Sequence, residues 1–162
     1  MTRSGRMAVR LGTWFAGGDG AAQGKAASTG DVCTILVVDD ESDFREVLSY
    51  CLETRGFRVL QAANGREALA RLEDTLGEVS LVVTDIVMPA MDGLELAAEL
   101  GRRAPEMPLL LITGMSDQVP CCNGRTLPLL LKPFRLSELL GHVRVLLGTS
   151  NGAGGPDRPG VD

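Results

Sequence analysis

The sequence has 162 residues, of which 44% are hydrophobic and 23% are charged, as in ordinary soluble domains. The formal net charge of -5 gives no support to nucleic-acid binding, because proteins that bind the phosphate backbone usually carry a basic face. No apolar stretch approaches the roughly 18–20 residues that span a bilayer. Gly12 and Gly17 also interrupt the apolar run after Arg10, unlike a secretory leader, so we expect a cytoplasmic protein.

The two ends of the chain differ in composition from its middle. Residues 1–30 are rich in Gly, Ala, Ser and Thr without periodicity, which predicts a disordered N-terminal arm. Residues 149–162 predict a disordered tail rich in Gly and Pro. The folded domain is therefore expected at residues 31–148. Because the tail is short, no DNA-binding or catalytic output domain is expected after Leu147.

Between these ends, short apolar runs alternate with segments of helical spacing. The apolar runs predict five strands, at residues 34–38, 57–61, 79–84, 108–113 and 129–131. The helical patterns predict helices that begin near Ser42 (as N-cap), Asn64, Leu94 and Leu136. Strict alternation of strand and helix indicates an α/β fold with a parallel sheet and helices on both faces.

A further helix would be expected between Thr113 and Lys132, but the sequence there is unfavourable. Pro128 cannot continue a helix, and Pro120 fits only a first turn. Asn123 and Gly124 are poor helix formers. Since residues 116–123 leave room for only about two turns, we predict that this fourth helix is short or absent.

Polar groups follow four of the predicted strands. The first strand ends in Asp39-Asp40, the third in Asp85, the fourth in Thr113 and the fifth in Lys132. The carboxyl ends of parallel strands meet at one edge of a sheet, so these side chains are expected in one pocket. Singly, each has a structural explanation, such as an N-cap or a solvated charge. Together, four strand ends carrying such groups favour a functional site.

Three clustered carboxylates repel one another, and a divalent cation relieves that repulsion. Mg²⁺ prefers carboxylate, water and phosphate oxygens. With an ammonium and a hydroxyl nearby, the set is typical of a phosphoryl-transfer site. The remaining candidates are weaker: the four cysteines lack zinc-site spacing and read as thiols in a reducing compartment, and His142 is the only histidine.

The segments ILVVDDE (35–41), LVVTDIVMPAMDG (81–93), LLLITG (109–114) and LLLKPF (129–134) closely resemble those of bacterial two-component response-regulator receiver domains, either stand-alone or at the end of hybrid histidine kinases. The resemblance covers about residues 33–147. It implies a flavodoxin-like three-layer fold with a five-stranded sheet of order 2-1-3-4-5.

The resemblance also implies roles for the clustered residues. Asp85 matches the phosphoacceptor, and Asp40 matches the acidic residue that binds Mg²⁺ directly. Asp39 matches its neighbour, which usually acts through water. Val87 would offer its backbone carbonyl to the metal. No other cofactor is implied.

Two further matches and one departure concern the residues that respond to phosphorylation in the family. Thr113 matches the hydroxyl that bonds the phosphoryl group, and Lys132 matches the lysine that contacts acceptor and phosphate. The Lys132–Pro133 peptide resembles one that is cis in the family. Leu129 stands where the family often carries an aromatic switch residue, which puts the coupling of Thr113 to an aromatic side chain in doubt.

The implied function is that of a phosphoacceptor rather than an enzyme, with slow self-dephosphorylation at most. Its donor would be a sensor histidine kinase or a histidine phosphotransfer protein. Its output would be contact with a downstream protein, or phosphate buffering. Two alternatives stay open: a Mg²⁺-dependent phosphohydrolase of the haloacid-dehalogenase type, and an unphosphorylated pseudo-receiver that serves as a binding module.

Overall fold

The computed structural model describes residues 32–75, 77–115, 120–122 and 124–148. The predictions of a disordered arm at residues 1–30 and of a disordered tail at residues 149–162 concern residues outside these ranges. Within the described residues the chain forms seven strands and four helices. In chain order they are β1 (Thr34–Val38), α1 (Ser42–Glu53), β2 (Arg58–Ala62), α2 (Gly65–Asp74), β3 (Val79–Asp85), α3 (Gly93–Arg103), β4 (Leu109–Thr113), β5 (Cys121–Cys122), β6 (Arg125–Thr126), β7 (Leu129–Leu131) and α4 (Leu136–Leu146).

Five of the strands form one parallel sheet of order β2-β1-β3-β4-β7. Since β7 is the predicted fifth strand, the order 2-1-3-4-5 is confirmed. The register aligns Val38 of β1 with Thr84 of β3, and Thr113 of β4 with Leu131 of β7. The residues that follow these strands, including the acidic pair and Lys132, are thereby brought to one edge.

The core consists of two layers, one on each face of the sheet. Alternate strand residues point to opposite faces, and both faces are apolar, as expected of a buried parallel sheet. One layer joins Leu36, Val82 and Leu111 to buried residues of α2 and α3. The other joins residues such as Ile35 and Ile112 to α1 and α4. The sheet is therefore covered on both sides, and its carboxyl edge remains accessible.

Three of the four predicted helix starts, near Asn64, Leu94 and Leu136, agree with the structure, and the N-cap predicted at Ser42 differs. Asn64 caps α2, since its side chain accepts a hydrogen bond from the Glu67 N–H. Asp92 and Glu95 form a capping box at the start of α3. The prediction of Ser42 as an N-cap is wrong: Ser42 is the first residue of α1, and the capping position is held by Glu41, without a side-chain bond.

The segment between β4 and β7 carries an antiparallel ribbon where a fourth helix was in question. Cys121 pairs with Thr126 and Cys122 with Arg125, and the Leu127 N–H donates to the Pro120 carbonyl over 3.0 Å. Gly124 has φ +75°, which a glycine adopts without strain. No helix occurs in the described part of this segment, as predicted; residues 116–119 and 123 lie outside it.

Among the described residues, every helix is too short or too polar to span a bilayer.

Candidate functional site

Three carboxylates meet at the carboxyl edge of the sheet. Asp39 and Asp40 follow β1, and Asp85 ends β3, the neighbouring strand. Each offers one oxygen, and the three oxygens lie within 4.8 Å of one another. Asp39 is buried, Asp85 is half-buried and Asp40 is exposed at the rim. The three carboxylates predicted to converge thus do so, with one of them open to solvent.

Asp39 is fixed from several sides. Its backbone N–H donates to the Ala62 carbonyl of β2 over 3.1 Å, and its carbonyl accepts from Arg45 Nη1 over 2.6 Å. Its Oδ1 accepts from the Glu41 N–H over 2.8 Å. Burial raises the pKa of the Asp39 carboxyl, and the Glu41 N–H and the Lys132 ammonium oppose that rise without cancelling it. The ionised form of the buried Asp39 carboxyl is therefore stabilised by nearby cations.

Lys132 supplies one such cation from β7's end. Its Nζ lies 2.9 Å from Asp85 Oδ2 and 3.3 Å from Asp39 Oδ2. Burial acts to lower the pKa of Lys132, but the hydrogen bond to Asp85 and the charges of both carboxylates outweigh it and leave the pKa raised. The side chain is therefore an ammonium at neutral pH. The Lys132–Pro133 peptide is cis, as the family resemblance implied.

The loop after Asp85 is held close to the sheet edge by backbone hydrogen bonds. The Val87 N–H donates to Asp85 Oδ1 over 3.2 Å, and the Gly93 N–H donates to the Ile86 carbonyl over 2.8 Å. Ala90 adopts φ +67°, an uncommon conformation for a residue with a Cβ. These contacts hold the loop in place, and the bond from the Val87 N–H orients the Asp85 carboxylate. They also place Val87 beside it, with its side chain turned to solvent.

Thr113 reaches the same edge but bonds elsewhere. Its buried hydroxyl donates to the Met115 carbonyl over 3.0 Å and accepts from the Met115 N–H over 3.2 Å. Its own carbonyl accepts from the Lys132 N–H over 2.8 Å, which ties β4 to the start of the lysine loop. The hydroxyl therefore stands at the carboxyl end of β4 and is engaged with the loop that follows this strand.

Phe44 contacts Lys132 of the site, although its helical spacing with Leu48 and Leu52 assigns it only to the apolar face of α1. Its ring centroid lies 3.9 Å from Lys132 Nζ, and Phe134 packs against it edge to face at 6.2 Å. Phe44 stands in the first turn of the helix that follows the acidic pair, which places it at the sheet edge. That proximity to Asp39-Asp40 is the only signal in the sequence that points to it.

The chemistry of the cluster fits a hard divalent cation. Carboxylate oxygens are the ligands that Mg²⁺ prefers, and one exposed carboxylate beside two more enclosed ones leaves room for water ligands. Beside them, an ammonium against Asp85 offers a point charge to an incoming anion. The arrangement can therefore hold a cation and an anionic group at one carboxylate.

Comparison with known proteins agrees with this chemistry. The family model described as response regulator receiver domain matches residues 35–144. The chain is 36% identical over 129 residues to the sensor kinase CckA of Brucella abortus, covering 76% of this chain and 13% of CckA. It is also 36% identical to the response regulator receiver protein CpdR of that species, covering 70% of this chain and 95% of CpdR. Against further curated relatives, the chain spans about half their length.

A solved structure supports the same likeness. The response regulator TrrA of Thermotoga maritima, solved in complex with Mg²⁺ and beryllofluoride, superposes with a TM-score of 0.65. The two chains are 34% identical, and the match covers 71% of this chain and 99% of TrrA.

Proposed function

Because the chain belongs to the response-regulator receiver domain family, we propose that Asp85 accepts a phosphoryl group from a sensor histidine kinase or a histidine phosphotransfer protein. The observation that carries the proposal is the Lys132 ammonium, 2.9 Å from an oxygen of Asp85, in a pocket with Asp39 and Asp40. An oxygen of the Asp85 carboxylate forms the new O–P bond. The N–P bond of the donor phosphohistidine breaks, and the imidazole nitrogen leaves with the electron pair.

The residues around Asp85 have distinct parts in this reaction. Asp40, Asp85 and the Val87 carbonyl would hold Mg²⁺, with Asp39 acting through water. Mg²⁺ neutralises charge on the transferring group when bound, and the structure of TrrA was solved with Mg²⁺ and beryllofluoride. Lys132, which is paired with the free Asp85 carboxylate, would direct its charge at the phosphoryl oxygens.

The response to phosphorylation would begin at Thr113. Its hydroxyl forms hydrogen bonds with the Met115 backbone. The oxygens of a phosphoryl group on Asp85 would compete for the hydrogen bond that this hydroxyl donates. Rotation of Thr113 would release the backbone of Met115, whose side chain is 81% exposed. The signal would then pass by contact to a downstream protein, with phosphate buffering as the other use. In this scheme the domain, at residues 31–148, accepts phosphate and releases it slowly instead of turning over a substrate.

Intact-mass analysis after incubation with acetyl phosphate and Mg²⁺ tests the assignment. We expect one phosphoryl adduct on the wild-type chain and none on Asp85→Asn. Asp74→Asn, the same change at an exposed aspartate at the end of α2, is the matched control and should keep the adduct. An adduct on Asp85→Asn disproves the acceptor. Absence of any adduct on a folded wild-type chain, together with no transfer from phosphorylated kinases, favours the pseudo-receiver.

A further inference from the structure

Lys132 Nζ contacts two kinds of neighbour in the site. The first kind is anionic: the carboxylates of Asp85 and Asp39 lie 2.9 and 3.3 Å from Nζ. The other is the ring of Phe44, whose centroid lies 3.9 Å away. A cation at this distance over an aromatic face is attracted by the ring quadrupole. The ammonium therefore lies among two anions and a neutral ring, and its side chain is 23% exposed.

These neighbours behave differently during phosphoryl transfer. Asp85 loses its free carboxylate when it is esterified, and Asp39 turns part of its charge towards a bound cation. Both changes weaken the hold of the carboxylates on the ammonium. The lysine stem has four carbons and many rotamers, so weaker partners leave the ammonium less well directed. The ring of Phe44 is the neighbour whose charge does not change in the reaction.

We propose that Phe44 is a positioning residue that keeps the Lys132 ammonium aimed at Asp85 while the charges of its carboxylate partners change. The inference rests on the proposed phosphoacceptor role of Asp85.

Phe44 is itself held in place. Phe134 meets its ring edge to face, with centroids 6.2 Å apart and planes at 85°, a favoured aromatic geometry. Phe134 follows Lys132 by two residues, so the support comes from the same loop as the ammonium. Phe44 comes from the first turn of α1, a short distance along the chain after the acidic pair. The ring thus links the segment that bears Asp39 to the segment that bears Lys132.

Substitution of Phe44 separates the ring's electronic contribution from its bulk. Phe44→Leu keeps an apolar side chain and removes the aromatic face, whereas Phe44→Tyr keeps the face. We expect the rate of labelling by acetyl phosphate and Mg²⁺ to fall about 2- to 10-fold in Phe44→Leu, the range of a partly shielded cation–π contact, and to recover in Phe44→Tyr. Lys132→Met, which removes the ammonium, sets the lower limit of the rate.

A matched control shows whether the loss of a phenylalanine from the core packing is enough to slow the labelling. Phe57 is also a half-buried phenylalanine packed on the same core layer, but it precedes β2, at the opposite end of the strands. Phe57→Leu should label at the wild-type rate. Phe44→Met, whose unbranched and flexible side chain fills irregular gaps better than leucine does, replaces Phe44→Leu in the comparison if circular dichroism shows that Phe44→Leu does not fold.

A spectroscopic measurement reports the contact without any phosphorylation. Lys25 and Lys132 are the two lysines of the chain, so lysine labelled with ¹³C and ¹⁵N gives two sets of side-chain signals. Shielding by the ring should move the Lys132 ε protons upfield of those of Lys25 in the wild type and in Phe44→Tyr, and this displacement should vanish in Phe44→Leu.

The two readouts distinguish failure of the inference from failure of the proposed function. A wild-type rate in Phe44→Leu, or a rate in Phe44→Tyr as low as in Phe44→Leu, overturns the positioning role while Asp85 remains the acceptor. An unmoved Lys132 signal in Phe44→Leu overturns the contact itself. If Asp85→Asn is labelled like the wild type, the proposed function fails, whatever the lysine spectra show.

Discussion

Gly93 lies against the backbone of Asp85 so closely that no side chain fits between them. A Cβ built on Gly93 would stand 2.1 Å from the Asp85 carbonyl oxygen and 2.9 Å from Ile86 Cα. Both of these atoms are backbone, so they cannot move aside as a flexible side chain does. The close approach lets the Gly93 N–H reach the Ile86 carbonyl and starts α3 directly beside Asp85.

Gly93→Ala should therefore destabilise the fold and disturb Asp85. Alanine normally favours a helix over glycine, but the clash with the backbone outweighs that gain, and we expect a loss of roughly 1–3 kcal/mol, as for other overpacked sites. Labelling of Asp85 should slow as its backbone shifts. Chemical denaturation and acetyl phosphate labelling measure the two effects.

Gly141→Ala is the control for this change. Gly141 is exposed within α4, and a Cβ there would meet nothing within 4 Å. The same substitution should stabilise the protein by about 0.5–1 kcal/mol, because alanine restricts the unfolded chain and favours the helix. Equal effects at positions 93 and 141 would contradict the close approach at Asp85.

The sheet and its acidic edge can be predicted from the sequence because neither depends on fine packing. Continuous apolar runs such as residues 34–38 identify buried parallel strands, and parallel topology alone brings Asp39, Asp85 and Lys132 to one edge. The roles of these residues come from the family resemblance, and their proximity in the fold supports those roles.

Other features depend on tertiary contacts that no local pattern encodes. Helical periodicity assigns Phe44 to a core face, but whether its ring faces Lys132 depends on packing against Phe134. Pro120, Gly124 and Pro128 predict an interrupted helix. They do not predict the β5–β6 ribbon, since strands of two residues are too short to show a period of two.

The metal site is tested by comparing Asp40→Ala with Asp39→Ala. Both oxygens of Asp39 are engaged, one by the Glu41 N–H and the other by Lys132, whereas Asp40 is exposed at the rim. A direct ligand contributes more than one acting through water, so Asp40→Ala should weaken Mg²⁺ binding more than Asp39→Ala does. Titration calorimetry with Mg²⁺ measures the affinities. Wild-type affinity in Asp40→Ala would rule out this placement.

Glu67 gives a prediction for the pH dependence of stability. Its carboxylate accepts the Ala63 N–H over 2.9 Å, which lowers the pKa of Glu67, with help from Arg71. Because the pKa is lowered in the folded protein, the ionised carboxylate stabilises the fold fully at pH values above its ordinary pKa of 4.5. This contribution is lost as the pH falls through the lower pKa of the folded state.

Replacing Glu67 by glutamine should thus matter only where the carboxylate is charged. Glu67→Gln should lower the free energy of unfolding by a few tenths of a kcal/mol at neutral pH, since the pair with Arg71 is solvent-screened, and the difference from the wild type should vanish in acid. Urea denaturation at several pH values measures it, with Glu46→Gln, an exposed glutamate of α1, as control. A difference that persists at low pH would exclude the carboxylate's charge as the cause.

The segment between β4 and β7 gives a prediction for how the protein associates on activation. Many receivers dimerise through a face made of a fourth helix and the neighbouring fifth strand and helix, whereas the described residues here have a ribbon of two-residue strands before the edge strand β7 and helix α4. A stable interface usually buries about 1,200–2,000 Å², and the loss of one of its three elements reduces the area that this face can bury. We therefore expect the protein to remain monomeric in light scattering with Mg²⁺ and beryllofluoride. Leu131 is half-exposed on β7, so Leu131→Glu would disturb an interface at this face. A beryllofluoride-induced dimer that Leu131→Glu abolishes would contradict the prediction and show that the face associates without the fourth helix.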